Sequence, residues 1–223
     1  MQLNQISCII LQYAYIVKRT KDIGPKMGKP KRRTLKFIQY YPSPRELYEK
    51  IAYGRGWSYK TDPEFYRTRD RALAALLYLL GGRISEILRL KKNQFIVGED
   101  KVVVRGIQLS KSRYKNRPRR EQYREEAWLP LRGERAGLTG LVLDYLRLVD
   151  GDDVLLFPFG RQRAWQIVSC LLGIPCHWLR AYCENYLYDN WGKDILAVSD
   201  YIKVDPRTLQ LYIRRSYQKY KPV

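Results

Sequence analysis

The stretch from Thr68 to Leu80 constrains this chain most. Leu73, Leu76, Leu77 and Leu80 recur at helical spacing, Ala72, Ala74 and Ala75 stand between them, and Gly81-Gly82 follow at once. Apolar residues at that period line one face of a helix, alanine favours the helical backbone, and paired glycines end it. This predicts a helix over 68–80, a break, and a second short helix over 84–90 carried by Ile84, Ile87, Leu88 and Leu90. Upstream, Pro42-Ser43-Pro44 predicts a helix start with Ser43 as N-cap and Pro44 in the first position. Val- and Ile-rich Lys101–Leu109 predicts a strand, and Ala127–Leu131 a second one ended by Pro130. Helices are expected over 138–149, 162–172, 177–190 (after Pro175), 193–198 and 206–217, the last with Asp205-Pro206 as N-cap and first residue. The fold class is therefore mostly α with a small antiparallel β-sheet, an α+β domain.

With 223 residues there is room for one full domain, or one with a short appendage. The expected division is a basic, partly flexible N-terminal arm over 1–39 and a folded domain over 40–223. The arm holds nine Lys or Arg, among them Lys31, Arg32 and Arg33, against one Asp, and Gly24, Pro25, Gly28 and Pro30 argue for an extended course. A second basic stretch, Lys111–Arg120 (KSRYKNRPRR), has six cations and no acid, and falls between the two strands as a long exposed connection. The C-terminal tail from Arg214 to Lys221 is the third.

The whole chain carries a formal charge of +20. Such a surface attracts polyanions, and each Lys or Arg on a phosphate backbone releases counterions. Nucleic acid is the expected partner. An acidic membrane calls for an amphipathic basic helix, which is not evident here, and the best apolar run, Ile6–Val17, is too short to span a bilayer. Four Cys are too sparse for a secreted disulfide scaffold, so buried, reduced thiols in a cytoplasmic protein are expected. Cys170, Cys176 and Cys183 flank His177, but their gaps match no zinc pattern. No metal or cofactor is expected.

One set of residues carries phosphodiester chemistry: Arg83 with Glu86 after the long helix, Lys111 at the end of the first strand, His177 and Arg180 opening a later helix, then Lys203 and Tyr212. Two guanidinium forks bind nonbridging oxygens and stabilise the extra charge of pentacoordinate phosphorus. A Tyr hydroxyl attacks phosphorus, nearby cations easing its ionisation, and a Lys protonates the departing oxygen. No paired carboxylates stand at metal-ligand spacing in this set.

At these residues the sequence resembles the tyrosine recombinases, the phage-type integrases and chromosome-dimer resolvases. GRISEILRL looks like the first box of that family, and RDRALAALLYLLGG like the helix before it. HWLR resembles the HxxR box, and IQLSKS the hairpin segment with the catalytic lysine. The thirty-two residues from Arg180 to Tyr212 fit the usual distance to the nucleophile. LFPFGRQRAWQIVSCLLGIP is similar to the segment before HxxR. The similarity runs from about Pro42 to Tyr212.

The resemblance implies the tyrosine recombinase catalytic-domain fold and a site-specific recombinase or integrase working through a 3′-phosphotyrosyl intermediate. It implies that Arg83 and Arg180 clamp the scissile phosphate and that His177 contacts it or moves a proton. Lys111 is the implied general acid, with Lys115 as its rival, and Glu86 the supporting carboxylate. Tyr212 is the implied nucleophile, with Tyr201, Tyr217 and Tyr220 as rivals. Lys203 falls where the family more often has His or Trp, although archaeal viral integrases carry a lysine there. Arg113, Lys115, Arg117, Arg119 and Arg120, with the arm cations, are implied DNA-backbone contacts. The implied partners are double-stranded DNA and further copies of the chain on DNA, as a dimer or tetramer, with Tyr212 acting in cis or in trans. The implied place of action is cytoplasmic, on nucleoid or mobile-element DNA, or in the host cell for a virus-encoded protein.

Three departures stand out. About forty residues precede Pro42, too few for the family's core-binding domain, and eleven follow Tyr212, short for its subunit-swapping tail. Ala181 replaces a frequent His. Two other activities stay open: nicking and closing like a type IB topoisomerase, and non-catalytic DNA binding by an integrase relic.

Overall fold

The computed structural model describes residues 41–110 and 123–217, except the side chains of 211, 212 and 214–217. These residues belong to one unit, Ile38–Val223. Met1–Phe37 lies outside the described residues, as do Lys31, Arg32, Arg33 and the whole of 111–122.

Chain order is α1 (Pro44–Tyr53), α2 (Pro63–Leu80), α3 (Ile84–Ile87), a 3₁₀ turn (Lys92–Gln94), β1 (Phe95–Val97), β2 (Lys101–Gln108), β3 (Tyr123–Pro130), α4 (Ala136–Leu148), α5 (Arg161–Leu172), α6 (Cys176–Asn190), α7 (Ile195–Ile202) and α8 (Pro206–Tyr217). This is the mostly helical fold with a small antiparallel sheet that the sequence predicts. α1 starts as expected: Ser43 Oγ accepts from the Glu46 amide at 3.2 Å, and Glu46 Oε2 accepts from the Ser43 amide at 2.8 Å, a closed capping box.

α2 starts earlier than expected. Asp62 caps it, its Oδ1 accepting from the Phe65 amide, and Pro63 holds the first position. Leu73, Leu76, Leu77 and Leu80 are buried, and so are Ala72, Ala74, Ala75, Tyr78 and Leu79, so α2 is covered on every side over 72–80. It is the central helix, against which α4 and α6 pack. Its last turn ends at Gly81 in the left-handed region (φ 58°), where glycine meets no Cβ penalty. Two buried arginines take up the terminal carbonyls: Arg135 Nη2 donates to Leu79 O at 2.6 Å and Arg124 Nη1 to Leu80 O at 2.7 Å. Cations here satisfy orphan acceptors and meet the negative end of the helix dipole. The segment leading to Arg83 is thus held from both sides.

The sheet order is β1-β2-β3, antiparallel throughout. Phe95 pairs with Val104 across β1 and β2, and Val104 with Ala127 across β2 and β3. β3 starts at Tyr123, ahead of the expected Ala127, because the hairpin changes face at Gly106 (φ 64°). Val102 and Val104 point into the core before it and Ile107 after it, and the partners Ala127 and Arg124 follow the same switch. Gln94 Nε2 donates to the carbonyls of Arg105 and Gly106 and fixes that kink.

Two expected helices differ. The one over 84–90 is a single turn, Ile84–Ile87, opened by Glu86 folding back on the Arg83 amide. The one over 193–198 is displaced to Ile195–Ile202, because Lys193 takes a positive φ and Asp194 caps the amides of Leu196 and Ala197.

Candidate active site

The break after α2 turns the chain back so that Arg83 becomes the N-cap of α3. Gly82 permits this: a Cβ there would come within 2.8 Å of Ile87 Cδ1. Glu86 is 2% exposed and gathers four donors. The Arg83 amide reaches Oε2 at 2.7 Å, while Arg83 Nη1 (2.8 Å), the Ser110 amide (3.1 Å) and Ser110 Oγ (3.0 Å) all reach Oε1. One buried carboxylate therefore ties the first arginine to the far end of the β2 segment, one residue before Lys111. Burial alone would raise the Glu86 pKa, but the hydrogen bonds from Arg83 and Ser110 outweigh it and the group stays below its ordinary range.

This has a measurable consequence. A depressed folded-state pKa means stability that is present above the ordinary value of 4.5 and lost as pH falls through the lower folded value. The stability gap between wild type and Glu86→Gln should be full at neutral pH and close progressively below 4.5. Urea denaturation of both proteins over a pH series reads it directly. A gap independent of pH would show that the carboxylate charge is not what holds Arg83 and Ser110.

α6 brings in the second half. Pro175 precedes it, and His177 and Arg180 fall one turn apart. Burial lowers the His177 pKa and favours the neutral ring. Arg180 is nearly enclosed, its side chain 13% exposed. Its Nε donates to Glu184 Oε1 at 2.9 Å, while Nη1 and Nη2 are buried with no hydrogen-bond partner. Burial raises the Glu184 pKa, opposed by Arg180.

Arg83, His177 and Arg180 line one cleft of about 620 Å³, with Gly82–Ser85 and Ser110 on one wall. Arg161, Gln162 and Trp165 from the start of α5 also line the cleft, as does Cys176 of α6. Burial pushes the Cys176 thiol up to about 11, so it is an inert wall residue. Among the described residues no His, Cys, Asp or Glu cluster could hold a metal ion. The cleft instead presents guanidinium donors and a neutral imidazole, a set suited to a tetrahedral oxyanion.

Lys203 does not line this cleft. It caps α7 in the left-handed region (φ 56°), and its ammonium pairs with Asp200 Oδ1 at 2.7 Å. Lys111, Arg113, Lys115, Arg117, Arg119 and Arg120 lie outside the described residues. Tyr212 sits on α8 between Leu209 and Ile213, which are both buried, but its side chain lies outside the described residues, as do Tyr217's and the whole of Tyr220. Tyr201 has other work: its hydroxyl accepts from the Trp128 amide at 3.1 Å and donates to the Trp128 carbonyl at 3.3 Å, and its ring stacks on Arg124 at 3.9 Å. Glu184, Ser110 and Trp165 are site residues that the sequence reading does not single out.

Among solved structures, the chain is similar to the XerH site-specific recombinase bound to its difH substrate in a pre-cleavage complex, with TM-score 0.56 and 18% identity, covering 78% of this chain and 49% of that one. It is also similar to the XerA recombinase, with TM-score 0.52 and 18% identity, covering 100% of this chain and 77% of that one. The chain has the tyrosine recombinase catalytic-domain fold. It spans about half the length of the XerH chain it matches. No protein-family model matches the sequence, and no curated protein matches it. In this fold the cleft described above lies where the end of the central helix, the hairpin and α6 converge. Among the described residues no helix is long and apolar enough to cross a membrane.

Proposed function

We propose that this protein is a site-specific DNA recombinase or integrase that cleaves and rejoins strands through a 3′-phosphotyrosyl intermediate. The observation that carries this reading is Arg180: two buried guanidinium nitrogens without partners, lining a cleft shared with Arg83 and His177. An unpaired buried donor costs about 1–3 kcal/mol, and a phosphate oxygen entering the cleft would remove that cost. The neighbours of similar fold include a recombinase described in complex with its DNA substrate.

In the proposed reaction the Tyr212 hydroxyl gives its proton to the neutral ring of His177 or to water, and its oxygen attacks the scissile phosphorus and forms a Tyr–O–P bond. The P–O5′ bond breaks, and Lys111 delivers a proton to the leaving oxygen. Arg83 and Arg180 stabilise the charge on the nonbridging oxygens, and neutral His177 donates a hydrogen bond or relays a proton. The bond energy stays in the phosphotyrosine, so a free 5′-hydroxyl can reverse the attack and rejoin the strands. The test is a nicked suicide duplex, which traps the adduct by losing the 5′ fragment. A covalent protein–DNA band supports the reading; tight binding with no adduct supports the non-catalytic relic instead.

The general acid is tested on a substrate whose leaving 5′-oxygen is replaced by sulfur, which departs without a proton. Lys111→Ala should lose most adduct formation on the oxygen substrate, within the 10²–10⁴-fold typical of general acid catalysis, and recover it on the sulfur one. Recovery by Lys115→Ala instead would move the role to Lys115.

The arm, 1–39, is proposed to add affinity rather than chemistry, together with the cations of 111–120. Deleting it should weaken DNA binding and flatten the salt dependence by about 0.9 log unit per log salt for each phosphate charge that the arm neutralises. Unchanged binding across a salt titration would show that the arm does not touch DNA. Assembly of several copies on DNA belongs to the same proposal.

A further inference from the structure

Two of the three arginines that line the cleft, Arg83 and Arg180, each pair with a buried carboxylate, and the two pairs are built differently. Glu86 holds Arg83 within a set of four hydrogen bonds. Glu184 is equally buried, 2% exposed, and accepts from Arg180 Nε at 2.9 Å. The field of Arg83 reaches it as well.

We propose that Glu184 is the positioning residue of Arg180: by taking Nε–H it fixes the guanidinium so that Nη1 and Nη2 stay free for the phosphate. This rests on the recombinase reading of the cleft.

Two simpler roles account for Glu184 poorly. Helix stabilisation is one, since Arg180 and Glu184 are i,i+4 neighbours on α6. That order, cation before acid, is the weaker one on a helix, and such pairs contribute only about 0.2–0.5 kcal/mol even when exposed. Filling the core is the other. An apolar side chain would do that without the desolvation cost of a buried carboxylate, which exchange for apolar residues commonly relieves. A long side chain that must meet a phosphate in one orientation does need a fixed acceptor behind it. Arg180 can turn about its side-chain bonds, and a displacement of about 1 Å at a reacting centre costs about 10²-fold in rate. Engaging Nε spends one of five N–H donors and leaves the outer four.

The experiment compares wild type, Glu184→Ala, Glu184→Gln, Glu184→Asp and Arg180→Ala on the suicide duplex at saturating DNA, with DNA affinity and melting curves for each. Glu184→Ala should slow adduct formation about 10²-fold with little change in affinity. Glu184→Gln keeps an acceptor for Nε and should restore most of the rate, which a role in packing charge would not predict. Combining Glu184→Ala with Arg180→Ala should cost no more than Arg180→Ala alone, because Glu184 acts only through that arginine. Should Glu184→Ala fail to fold, Glu184→Asp decides: its carboxylate is withdrawn by one methylene, so the rate should fall while the protein still melts cooperatively. Wild-type rates in Glu184→Ala, or in folded Glu184→Asp where Ala does not fold, overturn the positioning role and leave the recombinase reading intact. Absence of adduct with wild type overturns the recombinase reading and this inference with it.

Discussion

Tyr212→Phe protein should fold and bind DNA like wild type and form no covalent adduct. The change removes one oxygen from α8, and other residues of that helix tie it to the domain. Leu209 and Ile213, on either side, are buried, and Asp205 Oδ1 caps the start of α8 by accepting from the Arg207 and Thr208 amides. The phenolic oxygen is the proposed nucleophile, and a phenyl ring has no lone pair to offer phosphorus. The effect on adduct yield is therefore a complete loss rather than a slowing. Denaturing gels with the suicide duplex measure it, and circular dichroism melts with DNA titrations establish that fold and affinity persist. An adduct in Tyr212→Phe would move the role to another tyrosine, with Tyr217 the first to substitute. Tyr201 is the weaker rival, since both hydrogen bonds of its hydroxyl bind it to Trp128 and its ring covers Arg124.

What could be read in advance divides along physical lines. Signals local in sequence were legible: the end of α2 at Gly81, the Ser43 N-cap, the Pro175 start of α6 and the Asp205-Pro206 start of α8 each rest on backbone chemistry within a few residues. β1 was not, because three residues carry no periodicity and the strand exists only by pairing with β2. The first half of β3 was hidden by its polar residues, since Arg124 becomes a core residue only when its guanidinium finds Leu80 O and the Tyr201 ring. Arg135 is the same case at Leu79 O. Within the cleft, Arg83, His177 and Arg180 stood out because GRISEILRL and HWLR resemble the recombinase boxes. Glu184 did not, since an Arg and a Glu four residues apart on a helix are the ordinary dress of a solvent-facing surface. The pair is buried by the tertiary packing of α6, which contacts α2, α5, α7 and α8. Ser110 likewise gains its role from the distance between β2 and α3 in space, which no local pattern encodes.

Arg83→Ala and Arg180→Ala should each lower the rate of adduct formation by about 10²–10³-fold, the usual loss when one preorganised donor to a transition-state oxyanion is removed. Their effects on stability should differ, and the carboxylates say how. Removing Arg83 leaves Glu86 with both donors of Ser110 and the main-chain amide of residue 83, so the fold keeps most of what holds that carboxylate. Removing Arg180 leaves Glu184 buried without the guanidinium that opposes its desolvation. Breaking one side of a buried pair costs about 3–5 kcal/mol, so Arg180→Ala should melt well below Arg83→Ala, and adding Glu184→Gln should recover part of that loss without restoring the rate. Arg180→Lys should not restore it either, because a single ammonium cannot meet Glu184 and two phosphate oxygens at once. Mixing Arg180→Ala with Tyr212→Phe adds a readout of assembly. Recovered cleavage requires a tyrosine delivered from one copy to the intact cleft of another, whereas no recovery means that each site is completed within one chain. Equal melting temperatures for Arg83→Ala and Arg180→Ala would show that the two buried carboxylates are held by something other than the arginines they touch.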